Sequence, residues 1–153
     1  GGMSSQMALA ATLQWGLFDR FPNLKLTMIE SGAGWLPHFV HRMDEAADCS
    51  VGSTLNLRQK PSEYFQSNIW VSIDADEPGY DYLVDTFGGE HFFWGSDYPH
   101  FDHSALWLEQ VMERSECLDD QARRNILGLN ALTFWDLPHP DVRNATGSLK
   151  RPV

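Results

Sequence analysis

Basic residues are scarce in this sequence. Its 153 residues hold 11 Lys and Arg against 21 Asp and Glu, a formal net charge of −10 at pH 7 with His neutral. That imbalance argues against nucleic acid or an anionic membrane as the main partner, since both require a basic face. Cysteine is nearly absent as well. Cys49 and Cys117 stand far apart in no paired spacing, which argues against a disulfide framework or a thiolate zinc site. No apolar run approaches the ~20 residues of a membrane span. Residues 1–18, GGMSSQMALAATLQWGLF, lack a basic n-region and do not read as a signal peptide, so cytoplasm is the expected location.

What is present is an ordinary globular composition, 42% apolar and 21% charged, on a chain long enough for one domain with a real core. Six Trp and nine Phe point to a large buried surface or an aromatic-lined pocket.

Periodicity divides the chain into alternating elements. Residues 4–19 read as a helix, with Leu9, Leu13 and Leu17 at four-residue spacing and Ser4 or Ser5 as cap. Pro22 breaks it. LKLTMIE, residues 24–30, reads as a strand ending in Glu30, followed by the turn SGAG. A helix is expected from Trp35 to Asp48, then a loop over 49–60, and a short helix capped by Ser62. IWVSID, 69–74, is the next strand and ends in Asp74. Asp81–Phe87 reads as a helix stopped by Gly88-Gly89. HFFWGSD, 91–97, is the third strand and ends in Asp97. Helices capped by Ser104, Asp119 and Asn130 follow. From Pro138 to Val153 the chain is polar and aperiodic and reads as a tail after a domain of residues 1–137.

Strands alternating with helices predict an α/β fold with a parallel sheet. The strands are near-continuous apolar runs, as expected when both faces are covered. Acids at all three strand ends fall where such folds gather their functional groups.

The densest chemistry lies in FWGSDYPHFDH, residues 93–103. A carboxylate at a strand end can ligate a divalent metal or take a proton from metal-bound water. It can equally cap the loop that follows. Pro99 favours an extended Tyr98 and a stiff loop holding Asp97 and His100. His100 and His103 can serve as ligands or proton carriers, or be simply solvated. His38 and His41 share a helix face, but without the acidic helper of a metalloprotease helix they read as structural. Glu30 precedes Ser31-Gly32-Ala33-Gly34, a turn whose N–H groups can receive an anion, or one that needs glycine for geometry alone. No Lys-Ser/Thr follows, so it is not a phosphate loop.

The blocks FDRFPNLKLTMIESGAGWLPHFVHRMDE, KPSEYF, HFFWGSDYPHFD and ARRNILGLNALTFW, in this order, resemble the C-terminal half of the amidohydrolase-related family. This is the metal-dependent TIM-barrel group that includes enzymes similar to aminocarboxymuconate-semialdehyde decarboxylase. The resemblance runs from about residue 5 to 137. It implies a partial (β/α)₈ barrel made of about the last three strands and their helices, since a whole barrel takes ~250 residues. It implies that Asp97 ligates a divalent metal, zinc by expectation, or acts on the metal-bound nucleophile. His100 is then a catalytic neighbour at the site rim, with Glu30, Asp74 and Trp94 facing substrate or supporting the site. The family's His-x-His is absent from the sequence, and Glu30-Ser31 stands where a middle-strand histidine is expected. The function implied is a metal-dependent hydrolase of a small carboxylate-bearing substrate. A carboxy-lyase of the same family is the first alternative. A non-catalytic fragment or interaction module without a complete metal site is the second. A half-barrel exposes a strand edge, so a homo-oligomer or association with a missing N-terminal half is expected.

Overall fold

A computed structural model describes residues 2–49, 57–100 and 105–139. Asp102, His103, the Ser104 cap, most of the 49–60 loop and tail residues 140–153 lie outside the described residues. In chain order the elements are α1 (Gly2–Gln14), α2 (Leu17–Arg20), β1 (Leu26–Met28), α3 (Leu36–Asp48), α4 (Pro61–Asn68), β2 (Ile69–Asp74), α5 (Tyr80–Phe87), β3 (Phe92–Gly95), α6 (Trp107–Arg114), α7 (Asp120–Arg124) and α8 (Asn130–Phe134).

The three strands form one parallel sheet in the order β1-β2-β3. Met28 lies opposite Val71, Val71 opposite Phe92, and Asp74 opposite Gly95. Because side chains alternate along a strand, Ile69, Val71 and Ile73 share one face of β2 while Trp70, Ser72 and Asp74 share the other. The first face meets the helix layer in the main core, with Leu9 and Leu13 of α1, Leu36 and Val40 of α3 and Phe65 of α4. The second face is covered near the strand starts by α8, whose Phe134 meets Trp70 and Phe93 at ring-centroid distances of 5.2 and 5.6 Å. Lys25 fixes that helix by donating to the carbonyls of Thr133 and Phe134, both at 3.2 Å, and to Asp136 at 3.1 Å. Residues 69–73 are therefore all buried, as a near-continuous apolar run requires.

Several boundaries move from the expected ones, each for a local reason. The helix expected over 4–19 breaks at Gly16, which takes a left-handed φ of 60°. β1 is three residues long rather than seven, and β3 four, because Glu30 and Asp97 both turn the chain through positive φ, 59° and 53°. Only Asp74 lies inside its strand. The cap of α4 is Lys60, with Pro61 in the first turn and the Glu63 carboxylate accepting from the Lys60 amide at 2.7 Å. Ser62 instead sends its amide to Asp44. Asp119 does cap α7, accepting from the amides of Gln121 and Ala122. Asn130 caps nothing: it is buried in helical conformation and donates to the carbonyls of Gly89 and Phe92, both at 2.7 Å. Between α7 and α8, residues Asn125–Leu129 widen into a π-helical turn rather than stopping at Gly128.

Among the described residues no helix is long and apolar enough to cross a membrane.

Candidate metal centre

The carboxyl ends of the three strands converge on a group of acids. Glu30, two residues past β1, and Asp97, two residues past β3, project toward His100. One ligand atom from each of the three lies within 4.8 Å of the other two. His100 Nδ1 is 2.5 Å from Asp97 Oδ1 and 3.7 Å from Glu30 Oε2. The loop is closed locally as well, with the His100 amide donating to the Asp97 carbonyl at 2.9 Å. No other group of three or more metal-ligating side chains occurs among the described residues. His38 and His41 belong to no such group. His41 instead lies 3.7 Å from Glu45.

Glu30 reaches this place because β2 holds its backbone. The buried Ser72 hydroxyl accepts the Glu30 amide at 2.9 Å. The left-handed turn at Glu30 then directs the chain into Gly32, Ala33 and Gly34. Gly32 is itself left-handed, with φ 63°, and a Cβ there would meet Glu77 Oε1 at 3.0 Å. Glycine is required at this point for both conformation and space.

Asp74 stands at the strand end between these loops, half-buried. Its carboxyl is pushed above the usual carboxylate range, first by desolvation and then by the negative charges of Glu77, Asp76 and Asp97. No described cation forms an ion pair with Asp74, and only the Gly32 backbone amide, hydrogen-bonded to its carboxylate, opposes the upward shift.

Trp94 is placed differently from the other expected residues. It points away from the acids into the helix layer, stacked on Trp107 with centroids 5.2 Å apart, and donates to the Leu127 carbonyl at 3.4 Å. Its contribution is to seat α6 against β3, one residue before the loop that carries Asp97.

Sequence reasoning passed over Glu77. Its carboxylate accepts from the amides of Ala33 (2.9 and 3.0 Å) and Gly34 (2.6 Å), and from that of Asp74 at 3.3 Å. The anion that the SGAG turn is suited to receive is thus a side chain of the same protein. The only sequence signal was an acid three residues after a strand end.

Chemically, the group offers two carboxylates and an imidazole, oxygen and nitrogen donors that suit a divalent cation of hard or borderline character. Parallel strands with crossover helices and acids at the carboxyl ends define the class: part of a (β/α)₈ barrel. Residues 8–137 match the amidohydrolase family, and the chain belongs to it. It is 31% identical over 137 residues to 2-amino-3-carboxymuconate-6-semialdehyde decarboxylase of Dictyostelium discoideum, covering 86% of this chain and 36% of that protein. Among solved structures, 5-carboxyvanillate decarboxylase of Sphingomonas paucimobilis is similar at TM-score 0.72 and 27% identity, over 88% of this chain and 40% of that one. The 5-carboxyvanillate decarboxylase of Novosphingobium aromaticivorans, solved with bound manganese, shares the fold at TM-score 0.73 and 20% identity, over 89% of this chain and 40% of that one. The chain spans about a third of the length of the Dictyostelium relative.

Proposed function

We propose that this chain forms the metal-facing portion of a carboxy-lyase that removes CO₂ from a small carboxylate-bearing substrate. The observation that carries the reading is the meeting of Glu30, Asp97 and His100 at the carboxyl end of the sheet. The named relatives are decarboxylases, which favours a carboxy-lyase over the hydrolase otherwise expected.

Asp97, with Glu30 and His100, would hold the ion. A divalent metal at that place supplies positive charge to orient the substrate and stabilise the electrons left behind when the C–C bond breaks. The manganese of the Novosphingobium protein supports a divalent cation in general, without singling out zinc. Asp97 and His100, joined by their hydrogen bond, would hold and pass the proton that replaces CO₂. Asp74 lies behind them as a partly desolvated acid.

Three donors form one side of a site. Tight binding by protein groups takes three or four well-placed ligands, and the remaining barrel strands would bring more. Both outer strands, β1 and β3, have one edge unpaired within this sheet. Those edges, and the share of the relatives' length that the chain spans, support completion by an N-terminal barrel half or a second subunit.

The test is CO₂ release from 2-amino-3-carboxymuconate 6-semialdehyde and 5-carboxyvanillate by the chain completed with such a half and loaded with Mn²⁺ or Zn²⁺. Turnover that disappears in Asp97→Asn is the expected result. Hydrolysis of an amide or ester panel with no CO₂ released would overturn the reading.

A further inference from the structure

Glu77 occupies an unusual place for a carboxylate. It sits 44 residues after Ala33 in the chain, in the turn that follows β2, yet nearly all its bonds run to the turn that follows β1. Both oxygens accept from Ala33, and Oε1 also accepts from Gly34 at 2.6 Å. These amides lie at the head of α3, where the helix dipole adds favourable potential for an anion. Among the described residues no Lys, Arg or His forms an ion pair with Glu77. Its charge is balanced by backbone amides alone, as in anion-binding nests. Gly32 and Gly34 keep the space open: a Cβ on either would come within 3.0 Å of Glu77 Oε1. Glu77 is anchored in turn by its own amide, which donates to the Asp74 carbonyl at 3.0 Å.

The consequence concerns Glu30. On one side its amide is held by Ser72. On the other, three and four residues on, the turn is held by Glu77. Both holds come from β2 and the loop after it, so β2 acts as the mould for the loop that presents Glu30.

We propose that Glu77 is a positioning residue: seated on the amides of Ala33 and Gly34, it holds the 30–34 turn so that the Glu30 carboxylate stands beside Asp97 and His100. This rests on the metal-site reading above for its purpose, though not for its geometry.

The experiment compares Glu77→Ala, Glu77→Gln and a charge control, Asp76→Ala, in the full chain. Three readouts are amide hydrogen exchange at Ala33 and Gly34, the position of Glu30 in a crystal structure of Glu77→Ala, and Mn²⁺ affinity. In Glu77→Ala the two amides are expected to exchange at least about tenfold faster. Glu30 is expected to leave its 3.7 Å approach to His100, and Mn²⁺ to bind roughly 10–100-fold more weakly. Glu77→Gln keeps an acceptor and falls between. It also serves alone should the alanine variant not fold. Asp76→Ala, exposed and equally charged, leaves all three readouts unchanged. Unchanged amide exchange in both Glu77 variants, or a Glu30 carboxylate still beside His100 without Glu77, overturns the proposal. If the chain completed with an N-terminal half binds no Mn²⁺, the metal reading fails, while the exchange and crystal readouts still judge the clamp.

Discussion

At the amino end of the sheet, His91 lies tilted against Trp70 with centroids 4.5 Å apart, and Phe93 meets Phe134 and Trp135. At the carboxyl end, the same strands run out into Glu30, Asp74 and Asp97. One end is closed by rings from α4, β2, β3 and α8. The other is lined by acids whose backbones are twice forced left-handed. The difference separates two tasks that one sheet must perform. Aromatic packing stabilises the fold where nothing has to bind. The destabilising features, like charges and strained turns, are confined to the end where binding would repay them.

That contrast can be broken from either end. The largest effect belongs to the amino end. Phe65, 1% exposed and packed on Phe87 and Phe92, becomes a cavity in Phe65→Ala. Unfolding in urea should show a loss of about 3–5 kcal/mol, with the Glu30–Asp97–His100 geometry of the folded fraction intact.

At the carboxyl end, Asp97→Asn should do the reverse. Asn tolerates the φ of 53° as Asp does, so the circular dichroism spectrum should stay the same. Mn²⁺ affinity, read by electron paramagnetic resonance, should fall roughly 100-fold or more, about 2.7 kcal/mol.

Gly32→Ala is smaller and lies between the two tasks. A side chain at φ 63° and 3.0 Å from Glu77 should cost about 1–2 kcal/mol of stability, measured by thermal unfolding. It should also speed exchange at the Ala33 amide, sharpening the link between turn and clamp.

The smallest effects are in pH response, and they run in opposite directions. Burial lowers the His91 pKa from its ordinary 6.5. The folded state favours the neutral ring, so its contribution is complete above 6.5 and is lost as pH falls through the lowered value. Desolvation and neighbouring acids raise Asp74 from 3.8. Its contribution is complete below 3.8 and is lost as pH rises through the raised value. Melting curves from pH 3 to 7 should therefore show His91→Gln removing part of the acid loss. Asp74→Asn should exceed the parent at pH 7 and converge with it toward pH 3. Solvent screening keeps each effect under about 1 kcal/mol.

Legibility followed the range of the forces involved. β2 matches its expected span, 69–74, because a mostly apolar stretch, broken only by Ser72 and closed by Asp74, leaves one solution. α3 begins within a residue of expectation, where Pro37 favours a first helical turn. Glu30, Asp74 and Asp97 were legible as a set from their common place after apolar runs. Which face a residue takes was not legible in strands buried on both sides. Trp94 and Ser72 follow equally apolar neighbours, yet one enters the helix layer and the other holds Glu30. Glu77 was the least visible, since ADEPG reads as an acidic turn and its partners lie 43–44 residues earlier. Asn130 looked like a cap for a similar reason. Its real partners, Gly89 and Phe92, are about 40 residues away, and no local pattern records them.

The stacked pair Trp94 and Trp107, 5.2 Å apart and inclined by 21°, has an optical consequence. Two indoles at that separation couple their electronic transitions, so the docked chain should carry a paired band of opposite signs in its circular dichroism. One indole belongs to the strand that ends beside Asp97 and the other to the helix that follows the Asp97 loop. Lifting α6 away from β3 would erase the couplet while the far-ultraviolet helix signal persisted. The protein thus carries a built-in gauge, needing no label, of whether the wall next to its acidic mouth is in place.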